Sequence, residues 1–201
     1  MNRRLWLASL VTALAFVAPV TARADTARDK MVQRLRASHD SERYEVSVSG
    51  SSIRAGGARI LVNAPLAKVR RIVQDYGNYS KFMSRFKRSR IVSKNKKFTD
   101  VYLQVPILHG AASVWTVVRF GRPTKLADGT EVIRGRMVQG NVKDFRATWY
   151  LTPIDDHTTL LRSEILIVPK IPVPGSLVTG ELAYAADVAV TSTRNRAEKK
   201  R

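Results

Sequence analysis

Residues 60–76 read ILVNAPLAKVRRIVQDY, and this stretch carries the main evidence for the fold. A short apolar strand runs directly into Asn63-Ala64-Pro65. This tripeptide is a helix start signal, because Asn63 can cap the helix and Pro65 suits a first turn, where a missing N–H costs nothing. Apolar residues then recur at helical spacing at Leu66, Val69, Ile72 and Val73. The pattern predicts a strand and then a helix that ends near Asp75.

Elements on either side of this stretch extend the prediction. Before it, an amphipathic helix is expected over residues 26–37 and a strand over residues 44–48, with a turn or bulge at Gly56-Gly57 ahead of the strand at 58–62. After it, Tyr79, Phe82 and Met83 suggest a short helix. Six strands separated by turn residues follow, at residues 89–93, 99–107, 112–120, 131–138, 145–152 and 159–168. Short connections favour an antiparallel sheet.

Three prolines then end the strand pattern, and one long helix fits from Pro174 or Gly175 to about Ala197. The predicted order is therefore strand, helix, many antiparallel strands and a long C-terminal helix. This order defines an α+β domain with helices on one face of a curved sheet.

The same residues resemble the START-like (SRPBCC) superfamily, in the branch that groups coenzyme Q-binding proteins with polyketide cyclases. The resemblance rests on the Ala64-Pro65 helix start, on Asp75-Tyr76 followed by Tyr79 and Phe82, and on the basic strand at residues 88–92. It covers residues 44–198. It implies the helix-grip fold, a curved antiparallel sheet wrapped around a long C-terminal helix, with a mainly apolar cavity between them.

The first 24 residues read as a secretory signal peptide. Arg3 and Arg4 precede an uncharged apolar run, and Ala22-Arg23-Ala24 supplies a small-x-small cleavage pattern. The run is short for a membrane span of about 20 residues. We therefore expect three parts: a signal peptide at 1–24, an N-terminal amphipathic extension at 25–43 and the START-like domain at 44–198. The mature protein is expected to be secreted or periplasmic.

Composition excludes several kinds of chemistry. The chain has no cysteine, which excludes a thiolate nucleophile, an iron–sulfur cluster and a disulfide framework. Its three histidines are widely separated, so neither a metal site nor a cofactor is expected. The formal net charge of +19 indicates an anionic partner.

Candidate ligand-cavity residues come from the aromatic, polar and small residues that the fold would turn inward. The C-terminal helix is rich in small residues, which leave either empty volume or close backbone contact. We predict a cavity for a lipid, quinone or isoprenoid, enclosed in part by a gating loop at residues 76–86. Its candidate lining residues are Tyr76, Tyr79, Phe82, Tyr102, Trp115, Arg134, Trp149, Leu182, Ala183 and Ala186.

Two alternatives remain open from the residues alone. A cyclase- or aromatase-type enzyme on the same fold would use Asp75, Tyr102, Arg134 or Glu164 in acid–base catalysis, although no pair has a diagnostic spacing. A basic surface-binding module would need no cavity. No catalytic residue is assigned, and binding is favoured over catalysis.

A basic stretch between residues 81 and 97 contains no acidic residue. We predict that it docks on an anionic membrane, at roughly 1 kcal/mol per basic side chain near the surface. Export argues against a physiological nucleic acid partner. The predicted docking residues are Lys81, Arg85, Lys87, Arg88, Arg90, Lys94, Lys96 and Lys97.

Overall fold

The computed structural model describes residues 20–107 and 112–199. Most of the predicted signal peptide therefore lies outside the described residues. The connection between the strands predicted at 99–107 and 112–120 also lies outside them, and the sequence predicts a turn there at His109-Gly110. Helix α1 begins within that predicted peptide, at Val20, and runs to Ser38. The described helices contain no segment with the length and apolar character of a membrane span.

Nine strands of the described residues form one antiparallel sheet in the order β1-β2-β9-β8-β7-β5-β4-β3, with β6 paired to β7. The bounds are β1 Glu42–Val46, β2 Ala55–Val62, β3 Arg88–Lys94, β4 Phe98–Ile107, β5 Ala112–Gly121, β6 Thr124–Lys125, β7 Glu131–Gly140, β8 Asp144–Asp155 and β9 Thr158–Val168. The predicted antiparallel sheet is confirmed.

Four helical segments complete the fold. They are α2 (Leu66–Val73), a 3-10 turn (Tyr76–Asn78), α3 (Tyr79–Phe82) and the long α4 (Gly175–Glu198). Helix α4 lies against β2 and β9, and its second half also contacts α2. The predicted helix-grip arrangement is thus confirmed.

Alternation along the strands separates two faces of the sheet. On β8, Phe145, Ala147, Trp149 and Leu151 are all buried, whereas Arg146, Thr148 and Tyr150 between them are half-buried. Ile60 of β2 is in register with Leu161 of β9, and both are buried on the face that α4 covers. We call this the concave face, and the other the convex face.

Two local predictions at β2 are wrong. Gly56 and Gly57 do not form a turn but lie inside β2. The lack of a side chain at each glycine lets another part of the protein pack closely against the strand. A Cβ at Gly56 would overlap the backbone of Ala183 in α4, and one at Gly57 would lie 2.5 Å from the ring of Tyr44. The second wrong prediction is that Asn63 caps α2. The N-cap residue is Pro65, and no side chain makes a capping hydrogen bond there. The backbone N–H of Asn63 instead donates to the side chain of Glu198.

Candidate functional site

An apolar pocket lies between the concave face and the first half of α4. It encloses about 50 Å³. A cavity for a drug-sized ligand usually needs ~300 Å³ or more. The pocket is therefore smaller than a site for a ligand of that size. Its lining residues are Val114, Ile167, Pro169, Ile171, Val173, Leu177, Val178, Glu181 and Leu182.

The mouth of this pocket carries exposed apolar side chains. Ile171 is 56% exposed and Leu177 is 52% exposed, and both line the pocket. Lys170 is exposed beside Ile171, and the exposed Lys143 donates its backbone N–H to Val168 at 2.7 Å. Apolar and basic side chains are therefore exposed together at the mouth of the pocket.

An aromatic cluster fills the interior near α3. Tyr76 stacks on Phe120 with ring centroids 4.4 Å apart, and Tyr79 meets Phe82 and Phe86 at 5.8 and 5.4 Å. Tyr76, Tyr79 and Met83 are buried, and Phe82 and Phe86 pack against the core. The segment expected to be a gating loop therefore forms a packed wall, and the pocket opens instead at residues 169–178.

Two tyrosines in this wall differ in how their hydroxyl groups are satisfied. The Tyr79 hydroxyl donates to the carbonyl oxygen of Val73, the last residue of α2. The Tyr76 hydroxyl is buried without a hydrogen-bond partner among the described residues. Burial raises the pKa of both phenols above the ordinary value, so both stay neutral at physiological pH. Tyr76 therefore has a free donor inside the domain.

Helix α4 supplies three of the predicted cavity residues. Leu182, Ala183 and Ala186 are buried, and Leu182 lines the pocket. Ala183 contacts Gly56 through its backbone, so close helix–sheet packing explains the small residue at this position. Trp149 is buried on the concave face opposite Ser163 of β9.

The other three predicted cavity residues lie on the convex face. Tyr102 and Trp115 stack with centroids 6.3 Å apart, on the opposite face from the buried Leu103 and Val114. Arg134 is exposed, and its guanidinium donates to Thr124 at 3.3 Å. Strand parity alone could not assign the face, because polar residues alternate equally well toward solvent or toward a cavity.

The acid–base candidates do not converge. Asp75 accepts hydrogen bonds from Arg196 at 2.6 Å and Asn78 at 2.7 Å, beside the end of α2. Glu164 is on the convex face and accepts from Tyr44 at 3.0 Å and Tyr150 at 3.2 Å. These carboxylates are held in separate hydrogen-bond networks, away from the apolar pocket. Among the described residues, no group of three or more His, Asp or Glu could hold a metal ion.

The basic stretch is mostly exposed along the edge strand β3. Seven of its eight predicted docking residues are exposed and have no acidic partner among the described residues: Lys81, Lys87, Arg88, Arg90, Lys94, Lys96 and Lys97. Arg85 instead pairs with Glu181 of α4 at 2.8 Å. The exposed apolar residues within this stretch are Ile91 and Val92, at 42% and 53% exposure.

Register divides this stretch between the two ends of the sheet. Arg88 is in register with Gln104, which is in register with Trp115, the neighbour of pocket-lining Val114. Lys94 is in register with Thr99, at the far end of the same strands. At ~3.4 Å per residue, β3 separates Arg88 from Lys94 by about 20 Å. Among the seven exposed members, Lys87 and Arg88 therefore lie toward the pocket end of the sheet, and Lys94, Lys96 and Lys97 lie toward the far end.

Sequence reasoning missed most of the pocket mouth. The sequence patterns assign Pro169, Ile171 and Val173 to the break before the last helix and Leu177 to that helix, and they predict none of these residues as cavity lining. A usable signal was present, because apolar residues alternate with prolines across residues 169–174 where a surface loop is normally polar.

A curved antiparallel sheet that grips a long C-terminal helix, with an apolar pocket between them, defines a START-like helix-grip domain. The family model for polyketide cyclase / dehydrase and lipid transport matches residues 62–190, more than half of the chain. The chain belongs to this family. A search of the curated proteins finds no match.

Solved structures with the same fold include both lipid transfer proteins and cyclases. A STAR-related lipid transfer protein from Xanthomonas axonopodis is 16% identical, with a TM-score of 0.67 over 79% of this chain and 94% of that one. The human StarD13 lipid transfer and protein localization domain is 15% identical, with a TM-score of 0.64 over 94% and 100%. The Zhui aromatase/cyclase from Streptomyces sp. R1128 is 17% identical, with a TM-score of 0.55 over 79% and 94%. These likenesses establish the fold.

Proposed function

We propose that this protein is an exported carrier that takes a hydrophobic small molecule, a lipid, quinone or isoprenoid, from an anionic membrane. The main support for this proposal is the apolar pocket under α4, where Ile171 and Leu177 are exposed at the mouth. A buried apolar chain would be stabilised by roughly 25 cal/mol per Å² removed from water, so binding needs no catalytic group. The separation of Asp75 from Glu164 gives no support to a cyclase mechanism.

Widening of the pocket is the step that the carrier requires. Residues 169–174 connect β9 to α4 without regular structure, and α4 begins with exposed Ser176 and Leu177. Few buried contacts hold this corner, so it is the low-stability part of the wall. The N-terminal half of α4 would move with it and admit the ligand.

Filling the pocket tests this proposal. Val178→Trp is expected to reduce lipid uptake at least about tenfold, because the indole occupies the volume that the ligand needs. Uptake is measured by native mass spectrometry of the mature domain purified from its own envelope fraction, followed by lipid extraction. Ser176→Trp is the matched control, since Ser176 is exposed on the same helix and does not line the pocket. Equal lipid occupancy in both variants would contradict the proposed pocket.

Charge near the mouth supports membrane docking at the pocket end. Lys87, Arg88, Lys143 and Lys170 are exposed toward that end of the sheet, where Ile171 and Leu177 are also exposed. Such an arrangement would bring the mouth against anionic head groups while the apolar side chains enter the interface. The far members of the basic stretch, Lys94, Lys96 and Lys97, would then act as weaker long-range attractors.

A double charge removal distinguishes the two ends of the basic stretch. Lys87→Gln with Arg88→Gln is expected to weaken binding to anionic vesicles roughly thirtyfold at low salt, from about 1 kcal/mol per side chain. Lys96→Gln with Lys97→Gln removes the same charge at the far end and is expected to have a clearly smaller effect. Vesicle co-sedimentation measures both. Unchanged binding of the Lys87 and Arg88 variant would rule out docking through this end.

Export completes the proposal. Residues 1–24 would be removed as a signal peptide, leaving the extension at 25–43 and the domain at 44–198 in the periplasm or outside the cell. The sequence of residues 1–24 supports this, through its basic start, apolar run and small-x-small pattern. In that compartment the partners would be an anionic membrane and the carried molecule, and no nucleic acid.

A further inference from the structure

Two arginines hold α4 from opposite sides around Tyr184. Arg43 of β1 lies 5.0 Å from the Tyr184 ring and pairs with Asp187. Arg85, which follows α3, lies 5.2 Å from the same ring and pairs with Glu181. Glu181 also lines the apolar pocket, whereas Asp187 does not. The Arg85 pair is therefore the one that a ligand in the pocket would meet.

Arg85 uses only half of its hydrogen-bonding edge. Its Nη2 donates to Glu181 at 2.8 Å, but its Nε is buried with no hydrogen-bond partner in the part of the chain that the structure describes. Other arginines of this protein use both atoms of the same edge: Arg43 on Asp187, Arg119 on Asp100 and Arg34 on Glu42. The Nε and Nη2 groups on one edge of a guanidinium can donate two parallel hydrogen bonds to one carboxylate. Arg85 makes only one of these two bonds.

We propose that Arg85 selects a lipid with a carboxylate head group. The head group, arriving at the pocket rim, displaces Glu181 and takes both Nε and Nη2 of Arg85, so that two bonds replace one. Glu181 is released toward solvent, where its side chain is already 31% exposed. Losing the Arg85 pair also frees the first half of α4 from the α3 side. Recognition of the acid and widening of the pocket then occur together.

This inference rests on the proposed carrier function and narrows its ligand class. The probes are palmitate and the alcohol of the same chain length, compared at mildly alkaline pH where palmitate is ionised. The wild type is expected to bind palmitate more tightly than the alcohol. Arg85→Gln should lower palmitate affinity at least about tenfold and leave alcohol affinity nearly unchanged. Glu181→Gln should raise palmitate affinity, because the competing carboxylate is gone.

The matched control is Arg43→Gln, which removes an equivalent arginine from the other side of Tyr184. It should leave the ratio of palmitate to alcohol affinity as in the wild type. An Arg85→Gln variant with the wild-type ratio, or a Glu181→Gln variant with weaker palmitate binding, would overturn the selection of acids while leaving the carrier function standing. Failure of the wild type to bind either probe would count against the carrier itself.

Discussion

Gly56→Ala is expected to destabilise the domain by about 3 kcal/mol or more, the largest effect of any single methyl group added to this protein. The new Cβ would overlap the backbone nitrogen of Ala183 and lie 2.6 Å from its Cα. The backbone of a 24-residue helix cannot shift locally to relieve this overlap, as the end of a flexible side chain could. Either α4 must lift from β2 or the strand must bend, and both open the core.

Thermal unfolding measures this effect, with an expected fall in Tm of roughly 6–12 °C for a domain of this size. Gly180→Ala is the control, because it adds the same methyl group on α4 with nothing within 4 Å. That change should stabilise the helix by ~0.5–1 kcal/mol, since alanine has the higher helix propensity. Similar Tm values for Gly56→Ala and the wild type would show that α4 does not pack on β2 this closely.

Tyr79→Phe is expected to destabilise the domain, whereas Tyr76→Phe is expected to leave its stability unchanged or to raise it. Both phenols are buried in one aromatic cluster, so each substitution removes only a hydroxyl group. The Tyr79 hydroxyl satisfies the carbonyl of Val73 at the end of α2, and its loss should cost about 1–3 kcal/mol. The Tyr76 hydroxyl has no partner among the described residues, so its removal should be neutral or stabilising by up to about 1 kcal/mol.

Urea unfolding of the ligand-free protein compares the two variants, and each serves as the control of the other. If Tyr76→Phe lost as much stability as Tyr79→Phe, the Tyr76 hydroxyl would have a partner, such as a buried water.

Most helices and strands were predicted correctly because the spacing of apolar residues and the positions of proline and glycine depend on neighbouring residues in the chain. The strands at 99–107, 112–120 and 159–168 appear as β4, β5 and β9 with shifts of one residue or none at either end. The last helix was expected from Pro174 or Gly175 to about Ala197 and runs over Gly175–Glu198. Proline and glycine mark these boundaries by covalent geometry, which acts locally.

Glycine in β2 illustrates where local reading fails. A Gly-Gly pair between two short strands indicates a turn if only the chain itself is considered. Here both residues lie within strand β2. Glycine is needed at these two positions because α4, more than 100 positions later in the sequence, packs against Gly56, and because Tyr44 packs against Gly57. The requirement comes from a distant neighbour, so no window around residues 56–57 contains it.

The predicted cavity residues also fall into two groups, those that the structure places in the interior and those that it places on the convex face. Of the predicted cavity residues, the structure places Tyr76, Tyr79, Phe82, Trp149, Leu182, Ala183 and Ala186 in or against the interior, and Leu182 is the one that lines the apolar pocket. It does not bring in Tyr102, Trp115 and Arg134, because they belong to the convex face. Alternation along a strand states which residues share a face but not which face meets the helix.

The sequence by itself determined the class of this protein: an α+β helix-grip domain, basic, without cysteine chemistry, in a family of cyclases and lipid transporters. The basic, cysteine-free α+β character follows from composition and short-range patterns, whereas the helix-grip fold and the family follow from the resemblance of residues 60–92 to the START-like superfamily and from the family match. Only the tertiary structure decided where the pocket opens, that residues 76–86 are a wall, and that Arg85 has an unfilled donor beside Glu181. Each of these depends on contacts between residues far apart in the chain, and such contacts exist only once the sheet has closed on α4.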